Sequence, residues 1–133
     1  RRSVLAGMGL ALTLAAITLL ALESGEVVIV RTREWGGISM ETRTWIADEG
    51  GVAWIEAATP ERAFFQNVQA NPEIELWRGG RWQHCRAAGV PNPEGHDHVR
   101  QLLAGKYGWK DGWIGMLADT SRSVAVRVSC EAS

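Results

Sequence analysis

The sequence predicts a mainly β fold: a β-barrel, closed or split, of six mostly antiparallel strands with two flanking helices, preceded by an N-terminal hydrophobic helix. Three observations carry it. Apolar and polar residues alternate with a period of two in several short runs, as strands with one buried face do. The glycine pairs Gly50-Gly51 and Gly79-Gly80 separate such runs as tight hairpin turns. Thr59-Pro60 and Asn92-Pro93 each place proline after a polar cap, the chemistry of a helix start. Closing the sheet would remove its exposed edges, which favours a barrel; a two-layer α+β sheet is the alternative.

The first element is an uncharged run over residues 4–22, behind Arg1 and Arg2. As a helix it would span about 28 Å, close to the ~30 Å hydrocarbon thickness of a bilayer. A single-span membrane anchor is preferred to a secretory leader, whose apolar region usually has ~7–15 residues and ends at a small-residue cleavage site. A buried soluble helix fits less well, because the run has no polar face. Gly7, Ala11 and Ala15 recur every four residues and would let two such helices approach closely, but an alanine-rich run also produces that spacing by chance. Arg1 and Arg2 lie on one side and Arg31 and Arg33 on the other, so the side of the membrane stays open. The chain opens on arginine, and further residues are expected upstream. It divides into residues 1–24, the hydrophobic helix, and residues 25–133, the barrel.

After the Glu23-Ser24-Gly25 link, Val27-Val28-Ile29-Val30 leads into Arg31-Thr32-Arg33 as a first strand. Trp35-Gly36-Gly37 turns the chain into Ile38–Asp48. There Ile38, Met40, Thr42, Thr44 and Ile46 share one face, and Ser39, Glu41, Arg43, Trp45 and Ala47 the other. Asp48-Glu49-Gly50-Gly51 turns into Val52–Ala58, apolar or small except for Glu56, so the three strands read as a meander. A helix follows, capped by Thr59, with Phe64 and Val68 on one face and Asn71-Pro72 ending it. Ile74–Arg78 and Arg81–Val90 form the Gly79-Gly80 hairpin. A second helix, capped by Asn92, buries Val99, Leu102 and Leu103 and ends near Gly105. Lys106 to Trp113, rich in glycine and aromatics, reads as a shaped loop, and Ser123–Cys130 as the last strand.

The junction at Thr59 bears most directly on function. A strand running into a capped helix start leaves backbone N–H groups pointing outward beside Thr59 and Arg62, a place suited to a phosphate. The same residues also serve simply to start a helix well. Charges nearly balance, 14 Lys+Arg against 15 Asp+Glu, which gives no electrostatic case for nucleic acid as partner. His84, His96 and His98 show no metal-ligand spacing. Cys85 and Cys130 fall on separate strands and are expected as free thiols; the alternative is a bridge, which would need Cα atoms within about 7 Å. Seven tryptophans against two phenylalanines and one tyrosine supply large core side chains, several of which could line a pocket for a flat ring.

This order of elements resembles the flavin-binding split-barrel superfamily of pyridoxamine-phosphate-oxidase-like proteins, nearest its deazaflavin (F420)-dependent nitroreductase-like branch. The resembling residues are Val27–Arg33, Thr44-Trp45-Ile46, Phe64-Phe65-Gln66-Asn67-Val68-Gln69-Ala70-Asn71-Pro72, Gly79-Gly80-Arg81 and Lys106-Tyr107-Gly108-Trp109. They cover roughly Glu26 to Val128. The segment Trp35-Gly36-Gly37-Ile38-Ser39-Met40 departs from the basic Gly-x-x-Ser-Gly segment frequent in the F420-using branch.

The resemblance implies a flavin- or deazaflavin-dependent oxidoreductase, using FMN or F420 to reduce a planar acceptor such as a quinone or nitro compound. The alternative is a non-catalytic cofactor- or ligand-binding module of the same fold; a purely structural tethered barrel is a third reading. Carried over by position, Arg43, Thr44 and Trp45 would flank the ring, and Ala58, Thr59 and Arg62 would meet the phosphate. Asn67 would buttress the first helix, and Lys106, Tyr107 and Trp109 would shape the opposite wall. Tyr107 is the candidate proton donor, with a structural role as its alternative. A homodimer is also implied, because partner chains often complete such pockets.

Overall fold

In the computed structural model, which describes residues 2–23, 25–34 and 37–131, the alternating runs become one seven-stranded sheet with every pair antiparallel. The chain order is α1 (Arg2–Glu23), β1 (Val27–Arg33), β2 (Ser39–Trp45), β3 (Ala47–Glu49), β4 (Val52–Ala57), α2 (Ala63–Ala70), β5 (Glu73–Arg78), β6 (Arg81–Val90), α3 (Glu94–Tyr107), α4 (Trp109–Leu117) and β7 (Val124–Cys130). Across the sheet the order is β2-β1-β5-β6-β7-β4-β3. β2 and β3 stand at opposite edges yet are joined through the single residue Ile46, so the sheet curls until its edges meet.

Ile46 also explains why seven strands replace the expected six. Its backbone leaves the ladder: the N–H donates to the Tyr107 hydroxyl at 3.1 Å, and the carbonyl accepts from Lys106 Nζ at 2.6 Å. The single strand expected over Ile38–Asp48 is therefore divided. β2 pairs with β1, while β3 pairs with β4. The expected meander is corrected accordingly, because no β2–β4 ladder forms and β4 takes β7 as its second partner.

Two apolar layers hold the barrel. Inward residues of β1, β4, β5 and β7, among them Val30, Ile55, Leu76 and Val126, meet Phe64, Phe65 and Val68 of α2, which plugs one end. Gly89 lets that plug fit, since a Cβ there would stand 2.9 Å from the Phe65 ring. On the outer face, Val99, Leu103 and Tyr107 of α3 cover Ala47 and Ala125, with Trp45 and Trp54 packed alongside.

Four further expectations are corrected. α2 begins at Ala63 with Arg62 at its cap position, not at Thr59-Pro60. Residues 59–61 instead form a turn in which Arg62 N–H donates to the Thr59 carbonyl at 3.3 Å and Gln66 Nε2 to the Pro60 carbonyl at 2.7 Å. The glycine-aromatic segment after Lys106 is not a loop. α3 runs through it to Tyr107, and α4 starts after Gly108, whose φ of +56° makes the corner. Cys85 and Cys130 are not free thiols. They sit directly opposite each other on β6 and β7 with Cα atoms 3.9 Å apart, and they form a disulfide. α3 begins at Glu94 with Pro93, not Asn92, at its cap position, although Asn92 Oδ1 from one residue further out still accepts the His96 N–H at 3.0 Å. Arg1, Ser24 of the first link, and Trp35-Gly36 of the first predicted turn lie outside the described residues.

Candidate functional site

The space between β2, β4, α3 and α4 encloses a cavity of about 300 Å³, with the last turn of α1 at its rim. β2 contributes Arg43, Thr44 and Trp45; β4 contributes Glu56; α3 contributes Arg100 and Leu103. Asp111, Ile114 and Gly115 come from α4, Leu22 and Glu23 from α1, and Val27 and Thr120 complete the wall. The volume is at the small end of the ~300–1,000 Å³ typical of ligand pockets.

Strand and helix periodicity explain this gathering. Ala53, Ile55 and Ala57 point into the barrel, so Glu56 points outward, toward α3. There Arg100, one position past the buried Val99, meets it in a two-pronged pair, Nε to Oε2 at 2.6 Å and Nη2 to Oε1 at 2.8 Å. Asp111 of α4 takes Arg100 Nη2 at 2.9 Å. Burial works against the Arg100 charge, but Glu56 and Asp111 outweigh it and hold the guanidinium above its ordinary pKa. At the rim, Arg43 pairs with Glu23 at 2.5 Å, both side chains being well exposed. Trp45 donates its indole N–H to the Leu22 carbonyl at 3.1 Å, satisfying an end carbonyl of α1.

Beside the cavity stands a second ionic group. Arg78 bridges Glu26 (Nε to Oε2, 2.9 Å) and Asp48 (Nη1 to Oδ1, 2.8 Å), and Lys106 Nζ reaches Glu26 Oε1 at 2.6 Å. Hydrogen bonds from Arg78 hold both carboxyl groups below their ordinary pKa values. Tyr107 is buried beside this second group. Its hydroxyl donates to the Glu26 carbonyl at 2.6 Å and accepts from Ile46 N–H, and burial pushes the phenol up.

Of the residues singled out from sequence, Arg43, Thr44 and Trp45 are brought together at the cavity. Ala58, Thr59 and Arg62 are not among its lining, and Ala58 and Arg62 are exposed. Thr59 lies near Glu61, which pairs with Arg122. Asn67 ties α2 to β1 through a hydrogen bond to the buried Thr32 hydroxyl at 3.2 Å. Lys106 and Tyr107 serve the Ile46 corner, and Trp109 is 55% exposed on α4. Sequence reading passed over Glu23, Arg100 and Asp111. The one available signal was Glu56, a lone carboxylate in an apolar strand, which requires a cation from elsewhere in the chain.

No protein-family model and no curated protein matches the sequence. Solved structures do match in shape. One, from Listeria innocua and assigned as a pyridoxamine 5′-phosphate oxidase, has a TM-score of 0.59 at 12% identity, over 86% of this chain and 90% of its own. An F420-H2 dependent reductase, FDR-A, has a TM-score of 0.58 at 19% identity, over 79% and 93%. The heme storage protein HutZ of Vibrio cholerae has a TM-score of 0.59 at 12% identity, over 80% and 82%.

The fold is the pyridoxamine-phosphate-oxidase-like split barrel. At these identities the likeness carries the fold, and the residues must be tested against each ligand class. The split barrel's cavity lies against β2 and β4, and its apolar wall with Trp45 suits a flat ring. A phosphate fits it poorly: three carboxylates, Glu23, Glu56 and Asp111, line it against two guanidiniums, Arg43 and Arg100, both already paired. Heme fits poorly too, since among the described residues no histidine, cysteine, methionine or tyrosine lines it to serve as an axial ligand.

Proposed function

We propose that this split barrel is a membrane-tethered binding module for a flat, phosphate-free ring compound, held in the cavity between β2, β4, α3 and α4. The observation that carries the reading is the surplus of carboxylates over guanidiniums in a lining otherwise made of apolar residues, one glycine and two threonines. A phosphate entering as far as Arg100 would have to displace Glu56 or Asp111 from that half-buried guanidinium and leave a carboxylate without a partner, and one held at Arg43 would stand beside the carboxylate of Glu23. A neutral or weakly basic ring meets no such penalty. α1 supplies the tether: it is long and apolar enough to cross a membrane, and Ala21 is its one buried residue, unlike the core helix of a soluble protein.

The test compares riboflavin with FMN, which differ by the phosphate alone, titrated into the full chain in detergent or nanodiscs with flavin fluorescence as readout. Riboflavin should bind at least as tightly as FMN. Clearly tighter FMN binding would overturn the phosphate-free reading.

A second reading is an FMN- or F420-dependent oxidoreductase that reduces a quinone or nitro compound. It is favoured by the position of the cavity against β2 and β4, where the resemblance places the ring, and by similarity in fold to reductases described as F420-dependent. A bound flavin-type ring would supply the electron transfer. This chain would contribute the apolar wall around Trp45 and the positive charge of Arg43, with the phosphate outside the cavity on the Thr59 and Arg62 side. A similar fold described as a domain-swapped dimer leaves room for a second copy to complete that site. Turnover of menadione by the full chain with reduced FMN or F420 would support this reading, and a bound ring without turnover would support the module.

A further inference from the structure

Outside α1, exposed apolar side chains gather on α4: Trp109 is 55%, Met116 74% and Leu117 61% exposed. Trp109, Trp113 and Met116 stand at i, i+4 and i+7, one stripe of the helix. The middle member fixes where the stripe lies, because the Trp113 indole N–H donates to Thr18 Oγ1 of α1 at 2.9 Å. Thr18 is four residues, about 6 Å along the helix axis, inside the end of the apolar run at Leu22. Of the two charges on α4, Asp111 is turned the other way and engaged by Arg100 on the cavity side, while Lys110 borders the stripe with its ammonium beside Gly25, where a long basic side chain reaches out of an interfacial layer. An apolar, tryptophan-bearing face is thus held beside the last turns of a helix suited to a bilayer.

We propose that α4 is a second membrane contact, its Trp109, Met116 and Leu117 entering the interfacial layer of the phospholipid bilayer that α1 spans. Tryptophan prefers that layer, and a short helix with one apolar face lies along it. Leu22 of α1 and Ile114 and Gly115 of α4, all in the cavity lining, then stand on the membrane side, and a lipid-soluble ring would reach the cavity without crossing water. The proposal rests on α1 being an anchor and is independent of which ring the cavity takes.

The test places an environment-sensitive dye on the full chain at Met116→Cys, with the Cys85–Cys130 disulfide intact, in phosphatidylcholine–phosphatidylglycerol vesicles with and without nitroxide-labelled lipid. Leu117→Cys serves as a second position, and Gln69→Cys, exposed on α2, as the control. The Met116 and Leu117 dyes should emit to the blue and be quenched by nitroxide lipid, while the Gln69 dye stays unquenched. Dyes that remain in water on a chain that sediments with vesicles would overturn the α4 contact and leave the anchor standing. Blue emission without quenching would assign the face to a second protein copy and likewise overturn it. A chain left in the supernatant would overturn anchor and contact together.

Discussion

The indole of Trp45 lies flat on the phenol of Tyr107, ring centroids 4.2 Å apart and planes 9° from parallel. The stack joins the end of β2, which lines the cavity, to the end of α3, which fixes the Ile46 corner. Gly25 touches the same ring, so closely that a Cβ there would stand 2.8 Å from Tyr107 Cε1. Gly25→Ala must therefore push the ring or the backbone aside. The expected result is a loss of about 1–3 kcal/mol in chemical denaturation, as for other overpacked sites.

Tyr107→Phe keeps the ring and removes the hydroxyl. Ile46 N–H and the Glu26 carbonyl then lose a partner at a buried corner. A destabilisation of about 1–3 kcal/mol is expected from the unsatisfied group. The discriminating measurement is ring binding, read by fluorescence: it should stay near wild type in the folded protein if Tyr107 is structural. A loss of turnover with unchanged stability would instead point to the proton-donor role.

Much of the barrel was legible because its signals are local. The glycine pairs at 50–51 and 79–80 take positive φ in the hairpins they were expected to make, and the alternation of Val27–Arg33 is set by the strand's own buried face. What escaped depends on partners distant in sequence. Ile46 breaks a strand because Lys106 and Tyr107 take its backbone groups, 60 and 61 residues away. α4 contains Gly112 and Gly115, poor helix formers, and is held by α1 and Arg100. Arg43, Thr44 and Trp45 could be placed at the cavity from strand order and resemblance. Arg100 could not, since nothing near it in sequence announces Glu56.

Arg100 ties α3 to β4 and α4 through two carboxylates. Arg100→Met should destabilise the fold by about 3–5 kcal/mol, the range for removing one partner of a buried ionic group. Side-chain exposures of 20% for Arg100, 15% for Glu56 and 11% for Asp111 place it at the lower end. Adding Glu56→Gln and Asp111→Asn to that variant should recover much of the loss, because no unpaired charge then remains. Thermal and denaturant unfolding of the single and triple variants would check this.

Acid should unfold the protein partly through Arg78. Its hydrogen bonds hold Glu26 and Asp48 below their ordinary values of 4.5 and 3.8, so the unfolded chain binds protons more readily than the folded one. The stability these groups contribute is complete above the ordinary values and is lost as pH falls through them toward the lowered ones. Arg78→Gln should lower stability at neutral pH and flatten the acid limb of a stability-against-pH curve. An acid limb as steep as wild type would show that other carboxylates govern it.

The Cys85–Cys130 disulfide makes a prediction about where the barrel folds. It closes a loop of 45 residues between neighbouring strands, and the chain-entropy relation gives a contribution of about 4 kcal/mol for a loop of that length. The Cys85→Ala/Cys130→Ala double variant should be less stable by that order in denaturant. Structural disulfides persist in oxidising compartments and are rare in the cytosol of mesophiles. With α1 as an anchor, this favours the barrel, together with Arg31 and Arg33, lying on the oxidising side of the membrane. Alkylation in intact cells with a membrane-impermeant maleimide should then label the exposed Cys130 after treatment with a membrane-impermeant reductant and leave it unlabelled before it. Labelling that appears only after lysis would place the barrel on the reducing side, where the bridge does not persist and a cytosolic reduced flavin or deazaflavin becomes the more natural ligand.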